Sequence, residues 1–334
     1  MTAQPLVSIV MPIRNERSHI MRALDAIAAQ TYPASRIEIL VVDGGSTDGT
    51  MDAVQVRMAA DRRIRALGGP GVNTPLAMQI GTQDADGSLI AKVDGHGWIN
   101  ERFIEAAVDA LAGDKQIGCV GGTIQPVTET NAERGIAIAR FSRLGVGGGV
   151  YTLSERPQDT ETVQCGVYRM EALRAAGGFD PALPFGEDEE LNFRIRQHGW
   201  RIRFEPAMRF SYRVRPSFSA LFRQYFRYGR ARVAVVRKHP HFFRPKHAVP
   251  AILVVGLLGT SPLILLPGWQ VVPGLLLLAY LTLVALGAIA LGARHRFWRV
   301  DLIGAGLVAL HVGYGLGTIS GILGARGSRL LPRK

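Results

Sequence analysis

Leu89-Ile90-Ala91-Lys92-Val93-Asp94-Gly95-His96 is the stretch whose reading decides the fold of this 334-residue chain. A short apolar run bounded by turn residues predicts a buried strand. It ends in a carboxylate, a glycine and an imidazole. Asp94 and His96 then fall just past the strand, at the carboxyl edge of a sheet, where open α/β folds bind ligands. Two residues flanking a glycine can turn towards one ion, since glycine adds no bulk. A carboxylate oxygen with an imidazole nitrogen suits a divalent metal such as Mn²⁺, and suits Mg²⁺ less well because of the imidazole. Taken alone, the same three residues also read as an ordinary polar turn.

Two upstream runs deliver polar residues to the same edge. Leu6 to Pro12 predicts a first strand ending at Pro12. Ile20, Leu24 and Ile27 recur at helical spacing after Asn15-Glu16, and Ile37 to Val42 predicts a strand ending in Asp43. Strand, helix, strand implies a parallel pair with a right-handed crossover. Asp43-Gly44-Gly45-Ser46-Thr47-Asp48-Gly49-Thr50 is a tight turn whose small residues let a nucleotide approach the backbone. Asp43 could accept from a ribose hydroxyl or a base N–H. Ser46 or Thr47 would cap the following helix, with Asp48 favouring its dipole.

Charge divides the chain. Residues 1–215 hold 24 Lys/Arg and 26 Asp/Glu, a net of −2, although the whole chain is +12. Residues 216–247 carry eight Lys/Arg and no acid, and residues 248–323 carry only Arg294, Arg296, Arg299 and Asp301. A near-neutral body, a basic collar and an apolar tail describe a membrane-attached enzyme and argue against a nucleic-acid binder. Cys119 and Cys165 do not suggest a disulfide scaffold and read as buried thiols in a reducing compartment. The N-terminus shows no signal peptide pattern.

Further along, Asn100 to Leu111 predicts a helix and Ile117 to Val127 a strand. Gly145, Gly147, Gly148 and Gly149 cluster before Tyr151, consistent with a lid or acceptor-entry loop and equally with a plain connection. Thr162 to Arg169 predicts a strand and turn. Glu187-Asp188-Glu189-Glu190 then enters a helix. Four like charges raise one another's pKa and are costly unless something uses them, although acids at a helix start also favour its dipole.

Several of these segments together resemble one family. Val7 to Glu16, then Val41 to Thr50, is similar to the opening of family 2 glycosyltransferases of the GT-A fold. Asp94-Gly95-His96 falls where those enzymes carry a D-x-D metal motif, with His in the third position. Met78-Gln79-Ile80-Gly81 stands where the family often shows Leu-Asn-x-Gly. Glu187-Asp188, followed by Leu191 and Arg194, resembles the E-D signature, most closely that of the polysaccharide-assembling branch with succinoglycan-type glucosyltransferases. The resemblance implies an α/β GT-A domain with a Rossmann-like mixed sheet. It implies substrate binding at Pro12, Asn15, Glu16, Asp43, Ser46 and Asp94, a metal on Asp94 and His96, and catalysis by Asp188 with Glu187. Gln224-Tyr225-Phe226-Arg227-Tyr228 resembles the Q-x-x-R-W motif of processive synthases, with Tyr228 for Trp. It suggests Gln224 and Arg227 as further substrate contacts, Arg227 turning towards a diphosphate.

The C-terminal third reads as a membrane region. Phe218 to Arg237 predicts an amphipathic helix lying on anionic lipid, aromatics inserted and arginines outward. Ala248–Leu266, Val271–Leu291 and Leu302–Leu323 are each about long enough to span a bilayer, the first broken by Pro262. Gly313, Gly317 and Gly321 suit close helix packing, and His311 would bond a neighbouring helix. The basic collar and the Arg294–Arg299 loop belong in the cytoplasm by the positive-inside rule. Three spans would then export the basic tail with Arg326, Arg329, Arg333 and Lys334, so either the tail is an exception or one segment is re-entrant.

The expected organisation is a catalytic domain over 1–215, a basic interfacial segment over 216–247, a membrane region over 248–323 and a basic tail over 324–334. The expected protein sits in the cytoplasmic membrane, multi-pass, with its catalytic domain in the cytoplasm. The expected activity is inverting transfer of a sugar from a nucleotide-diphosphate sugar to a lipid-linked glycan or growing polysaccharide, with Mn²⁺ or Mg²⁺. Its partners are that donor, that acceptor and membrane lipids, with no nucleic acid. The alternatives are a non-catalytic nucleotide-sugar-binding scaffold and a processive synthase. An oxidoreductase is disfavoured because the first strand–helix turn lacks G-x-G-x-x-G.

Overall fold

The computed structural model describes residues 4–145, 154–183 and 185–324. The glycines 147–149, Tyr151 and the basic tail lie outside the described residues. The elements, in chain order, begin with β1 (Val7–Ile13), α1 (Ile20–Ala28), β2 (Ile37–Asp43), α2 (Thr50–Ala60), β3 (Ile64–Gly68), α3 (Thr74–Gln83), β4 (Leu89–Lys92) and β5 (Gly97–Ile99). Then come α4 (Phe103–Gly113), β6 (Ile117–Val127), α5 (Asn131–Arg140), β7 (Gln158–Thr160), β8 (Val167–Arg169), α6 (Met170–Ala175), α7 (Glu187–Gln197) and β9 (Arg201–Arg213). Four helices follow: α8 (Phe218–Lys238), α9 (Val249–Thr260), α10 (Val271–Arg294) and α11 (Val300–Leu323). The chain forms two compact units, one of residues 4–127 and 154–213, the other of residues 128–145 and 214–324. Residues 128–145, which the sequence reading kept within the catalytic body, therefore cluster with the second unit.

In the first unit the strands form one mixed sheet of order β3-β2-β1-β4-β8-β6-β9-β5, with β7 on β9. The β3, β2, β1 and β4 pairings are parallel, and β8 turns the sheet antiparallel against β4. Period-two alternation builds a core on each face. Ile9, Met11, Ile39, Val41, Leu89 and Ala91 join one cluster with α1 and α4. Val10, Leu40, Val42 and Ile90 join the other, with Met78 of α3, Leu173 of α6 and Leu191 of α7. The same parity sends Lys92 to the face of Ile90, which α7 covers. β1 and β2 end level, Ile13 beside Asp43, and Val10 pairs with Lys92, so the following turns share one edge.

Three local expectations are corrected. The helix expected from Asn100 starts at Phe103. Asn100 is held instead by Arg209, whose N–H donates to its side chain, and its own amide donates to Ala207. Of the strand and turn expected over 162–169, the strand is confined to Val167–Arg169. Cys165 has φ +50, a left-handed conformation that breaks a ladder. Neither Ser46 nor Thr47 caps α2, which starts at Thr50 after Gly49 in the left-handed region. Ser46 is drawn back onto Asp43, and Asp48 accepts from the Thr50 N–H at 3.0 Å.

In the second unit α11 is the central element. Its glycines let α8 approach: a Cβ on Gly317 would lie 2.1 Å from the Phe226 carbonyl oxygen, and one on Gly229 of α8 would lie 2.2 Å from that of Tyr314. Such contacts replace side-chain bulk by backbone packing. Of the α8 aromatics expected to insert into lipid, one is corrected. Tyr225 is buried, and the backbones of Phe222 and Phe226 face Gly313 and Gly317. The His311 imidazole bonds the Leu144 carbonyl at 2.8 Å through Nε2 and approaches the Tyr280 hydroxyl at 3.3 Å.

Among the described residues, three helical stretches are long and apolar enough to cross a membrane by length and composition: Pro245–Leu265, Val271–Arg294 and Val300–Leu323. The first tightens to a 3₁₀ turn at Ser261–Leu265, around Pro262. Ile252, Leu258, Leu275, Leu278 and Leu286 are exposed, an apolar surface of the kind that lipid or a partner covers.

The α5 packing sets a solubility prediction. A Cβ on Gly306 of α11 would meet Ala139 at 2.8 Å, so the two helices touch closely. A chain truncated after residue 215 keeps α5 but loses α11. It is expected to expose Ile136 and Ala139 and to aggregate or float with vesicles. Replacing residues 128–145 by a polar linker as well is expected to give a monomer in detergent-free size-exclusion chromatography. A monomeric, vesicle-free product from the first truncation alone would contradict this packing.

Candidate functional site

The central feature is a lysine absent from the sequence-derived candidates. Lys92 ends β4 at 2% exposure. Its Nζ donates to Glu187 Oε1 at 2.8 Å and to Asp188 Oδ1 and Oδ2 at 2.9 and 2.8 Å. Asp94 Oδ1 stands 4.0 Å from the same nitrogen. A cation in the middle of a sheet is tolerated only when paired and hydrogen-bonded. The acids entering α7 meet that need. The signal was available in sequence: an isolated lysine on a buried strand face requires carboxylates, and residues 187–190 hold four.

Burial works against the Lys92 ammonium, but Asp188, Glu187 and Asp94 outweigh it and hold its pKa well above the ordinary value. Burial pushes the Asp188 carboxyl up to about 7, Lys92 opposing the rise and Glu187 adding to it. Asp188 still leaves 14% of its side chain open, enough for a small group to reach it. The two other acids have separate fates. Glu190 is fully buried and takes a two-pronged contact from Arg194, at 2.9 and 2.6 Å. Arg194 also donates to the Ala176 and Gly178 carbonyls, and Asn192 donates to Thr162 and the Val163 carbonyl. These bonds fix the helix that presents Glu187 and Asp188. Glu189 is half-buried.

Across the edge, the β1–α1 and β2–α2 loops are laced together. Asn15, at φ +57, donates its N–H to Ser46 Oγ and accepts from the Thr47 N–H, both at 2.9 Å. The Glu16 N–H donates to Thr50 Oγ1 at 2.8 Å and the Arg17 N–H to Asp48 at 3.1 Å. Asp43 accepts from the Gly45 and Ser46 N–H groups and from the Ser46 hydroxyl at 2.6 Å. The Ser46 N–H is shared between the two Asp43 oxygens, so each oxygen takes two contacts from this turn. Pro12 is buried within β1 opposite Val42.

Gly95 also makes room for a neighbouring loop. A Cβ there would lie 2.7 Å from Ile13 Cγ2 and 3.2 Å from Glu16 Cγ. Its absence lets the β1–α1 loop close in, and Glu16 Oε1 reaches His96 Nδ1 at 3.2 Å. That contact orients the imidazole, as carboxylates do behind metal-binding histidines. The first unit thus brings together Asn15, Glu16, Asp43 and Ser46 through the laced loops, Glu16 with His96, and Asp94 with Glu187 and Asp188 around Lys92. Gln224 and Arg227 lie on α8 of the second unit, where Arg215 and Tyr228 bond the Gln224 side chain.

Among the described residues no group of three or more His, Cys, Asp or Glu side chains forms a ready-made metal cage. Asp94 is a quarter exposed and is not hydrogen-bonded by Lys92, so its oxygens can meet a cation. One carboxylate and one imidazole fit an ion that takes its remaining ligands from substrate phosphates and water. A cavity of about 970 Å³ opens at the other end of the sheet, lined by Tyr32, Ser88, Leu89 and Arg169. It gathers no group resembling the Lys92 cluster, so chemistry rather than volume locates the site.

The Asp188 environment yields a titration. Isotope-edited infrared spectra are expected to show one carboxyl losing its proton near pH 7, absent in Asp188→Asn. Complete ionisation of every carboxyl by pH 5 would contradict the burial assigned to Asp188.

Comparison with known proteins agrees with this geometry. Residues 8–174 match the family described as Glycosyl transferase family 2. The chain is 30% identical over 271 residues to the succinoglycan biosynthesis protein ExoA of Rhizobium meliloti, covering 79% of each chain. It is 26% identical to a dolichyl N-acetyl-alpha-D-glucosaminyl phosphate 3-beta-D-2,3-diacetamido-2,3-dideoxy-beta-D-glucuronosyltransferase of Methanococcus voltae, covering 70% of this chain and 74% of the relative. In fold it is similar to a mannosyltransferase of Pyrobaculum calidifontis solved with GDP-mannose and Mn²⁺. The TM-score is 0.62 at 20% identity, over 96% of this chain and 88% of that one.

Proposed function

Because the chain belongs to glycosyltransferase family 2, we propose that it is a membrane-bound, inverting transferase that moves a sugar from a nucleotide-diphosphate sugar to a lipid-linked glycan or a growing polysaccharide. The observation that carries this reading is Asp188. It is a partly open carboxylate, anchored by both oxygens to a buried lysine at the strand edge where ligands bind. The names of the Rhizobium and Methanococcus relatives support a glycan-assembling role and a lipid-linked acceptor.

The chemistry follows from placement. The acceptor hydroxyl gives its proton to Asp188 while its oxygen attacks the anomeric carbon. The bond from that carbon to the diphosphate oxygen breaks, and its electron pair leaves with the nucleoside diphosphate. One displacement inverts the anomeric centre without a covalent intermediate. The laced loops 15–17 and 43–50 hold the nucleotide, Asp43 accepting from ribose or base and Asn15, Glu16 and Ser46 fixing the loops. A divalent ion on Asp94 and His96 would neutralise charge on the diphosphate. Glu187 shares Lys92 with the base and keeps a second carboxylate at the site.

Location belongs to the same proposal. Exposed arginines on α8 and the apolar faces of α9 and α10 favour the cytoplasmic membrane, with the catalytic domain in the cytoplasm. Three spans, all after that domain, favour single addition over a processive synthase.

Asp188→Asn is nearly isosteric but cannot take the proton. With a panel of nucleotide sugars, lipid extract and Mn²⁺, its turnover is expected to fall by about 10²–10⁴, with donor binding near normal. Glu190→Gln breaks the buried pair with Arg194 and is expected to lower Tm while turnover per folded molecule stays within a few-fold. Asp188→Asn turning over within a few-fold of wild type would place the base elsewhere. Binding of donor without release of nucleoside diphosphate by the wild type would mark a scaffold.

Excess chelator is expected to abolish turnover, and Mn²⁺ to restore it at least as well as Mg²⁺. Full turnover in chelator would remove the metal from the scheme.

A further inference from the structure

Resting on the assignment of Asp188 as base, we propose that Lys92 is a positioning residue for the transfer step: its ammonium pins Asp188 by both oxygens and Glu187 by one, so that the acceptor meets the base in a single orientation.

The geometry supports positioning in three ways. First, the backbone that carries the lysine is held on both sides. Its N–H donates to the Gly166 carbonyl at 3.0 Å, and the next residue, Val93, donates to the Val10 carbonyl at 3.1 Å. Second, the ammonium is committed to the first turn of α7: it contacts one oxygen of Glu187 and both oxygens of Asp188 at 2.8–2.9 Å. Asp94, at 4.0 Å, lies outside that set. Third, Lys92 is too buried to touch an acceptor, so its effect passes through the carboxylates.

Charge balance alone does not account for this arrangement. One ammonium faces three carboxylates, those of Glu187, Asp188 and Asp94, so it leaves the pocket negative. What it does supply is orientation. Asp188 lies in the first turn of α7, where the helix start at Gly186 has no side-chain cap. Arg194 and Asn192 fix the helix further along, not the carboxylate. Removal of Lys92 frees both Asp188 oxygens to rotate. Misplacement of a reacting group by about 1 Å can cost about 10²-fold in rate.

The test uses the full chain in nanodiscs, with the donor and acceptor that the panel identifies. It compares wild type, Lys92→Met, Glu187→Gln and the double variant Lys92→Met/Glu187→Gln. For each, kcat, donor KM and Tm are measured. Lys92→Met leaves buried carboxylates without a cation, so its Tm falls. The double variant removes one acid with the lysine and is expected to recover much of that Tm. Positioning predicts that Lys92→Met lowers kcat by about 10–10²-fold in both backgrounds, with donor KM changed less than about threefold. A purely structural lysine predicts that the kcat loss follows Tm and disappears in the Glu187→Gln background. That result would overturn the proposal, as would full kcat in a folded Lys92→Met. Asp188→Asn, measured alongside, separates the outcomes: if it too keeps its turnover, the base assignment has failed and the role of Lys92 falls with it.

Discussion

A single ammonium sets the design of the catalytic unit. Lys92 lies on a central strand where period two directs its side chain into the packed face under α7. A charge there is tolerated only with close carboxylates. The chain supplies them from the start of α7, nearly a hundred residues on, and their engagement ties the helix to the sheet edge. The fold and the chemistry therefore share one constraint. The contact that makes the buried lysine tolerable also places a partly open carboxylate where a substrate can reach it.

Around that pair the remaining polar groups fall into two sets. The laced loops after β1 and β2 hold Asn15, Ser46 and Asp43 in mutual contact. The turn after β4 carries Asp94 and His96, with Glu16 behind the imidazole and Gly95 making room for it. In the proposed reaction, the loops and the turn serve the donor, whereas the first turn of α7 serves the acceptor. Lys92 touches Asp188 and stands 4.0 Å from Asp94, which puts it between the two.

Much of this was legible in the sequence because it was local. Apolar runs ending in Asp43 and near Asp94 revealed the strands and their common edge, and the family resemblance implied the GT-A fold. The four acids at 187–190 were recognisable as a costly cluster awaiting a partner. The partner was not legible, because a lysine within an apolar run disturbs no pattern, and only the sheet parity shows which face it occupies. Ser46 differs from the expected cap for a local reason: Asp43 three residues earlier competes for it and wins. The assignment of residues 128–145 was invisible for want of any local signal, since α5 joins its unit through contacts with α11, far along the chain. Gly313, Gly317 and Gly321 were recognisable as packing residues, but that these three face α8 rather than a second apolar span depended on tertiary structure.

The most direct measurement is anomalous diffraction from crystals of the full chain grown with a nucleoside diphosphate and Mn²⁺. The account predicts a manganese peak contacted by Asp94 and His96, with the diphosphate completing its ligands and Asp188 still held by Lys92 across the site. A peak elsewhere, or Asp188 turned away from Lys92 towards the metal, would contradict it.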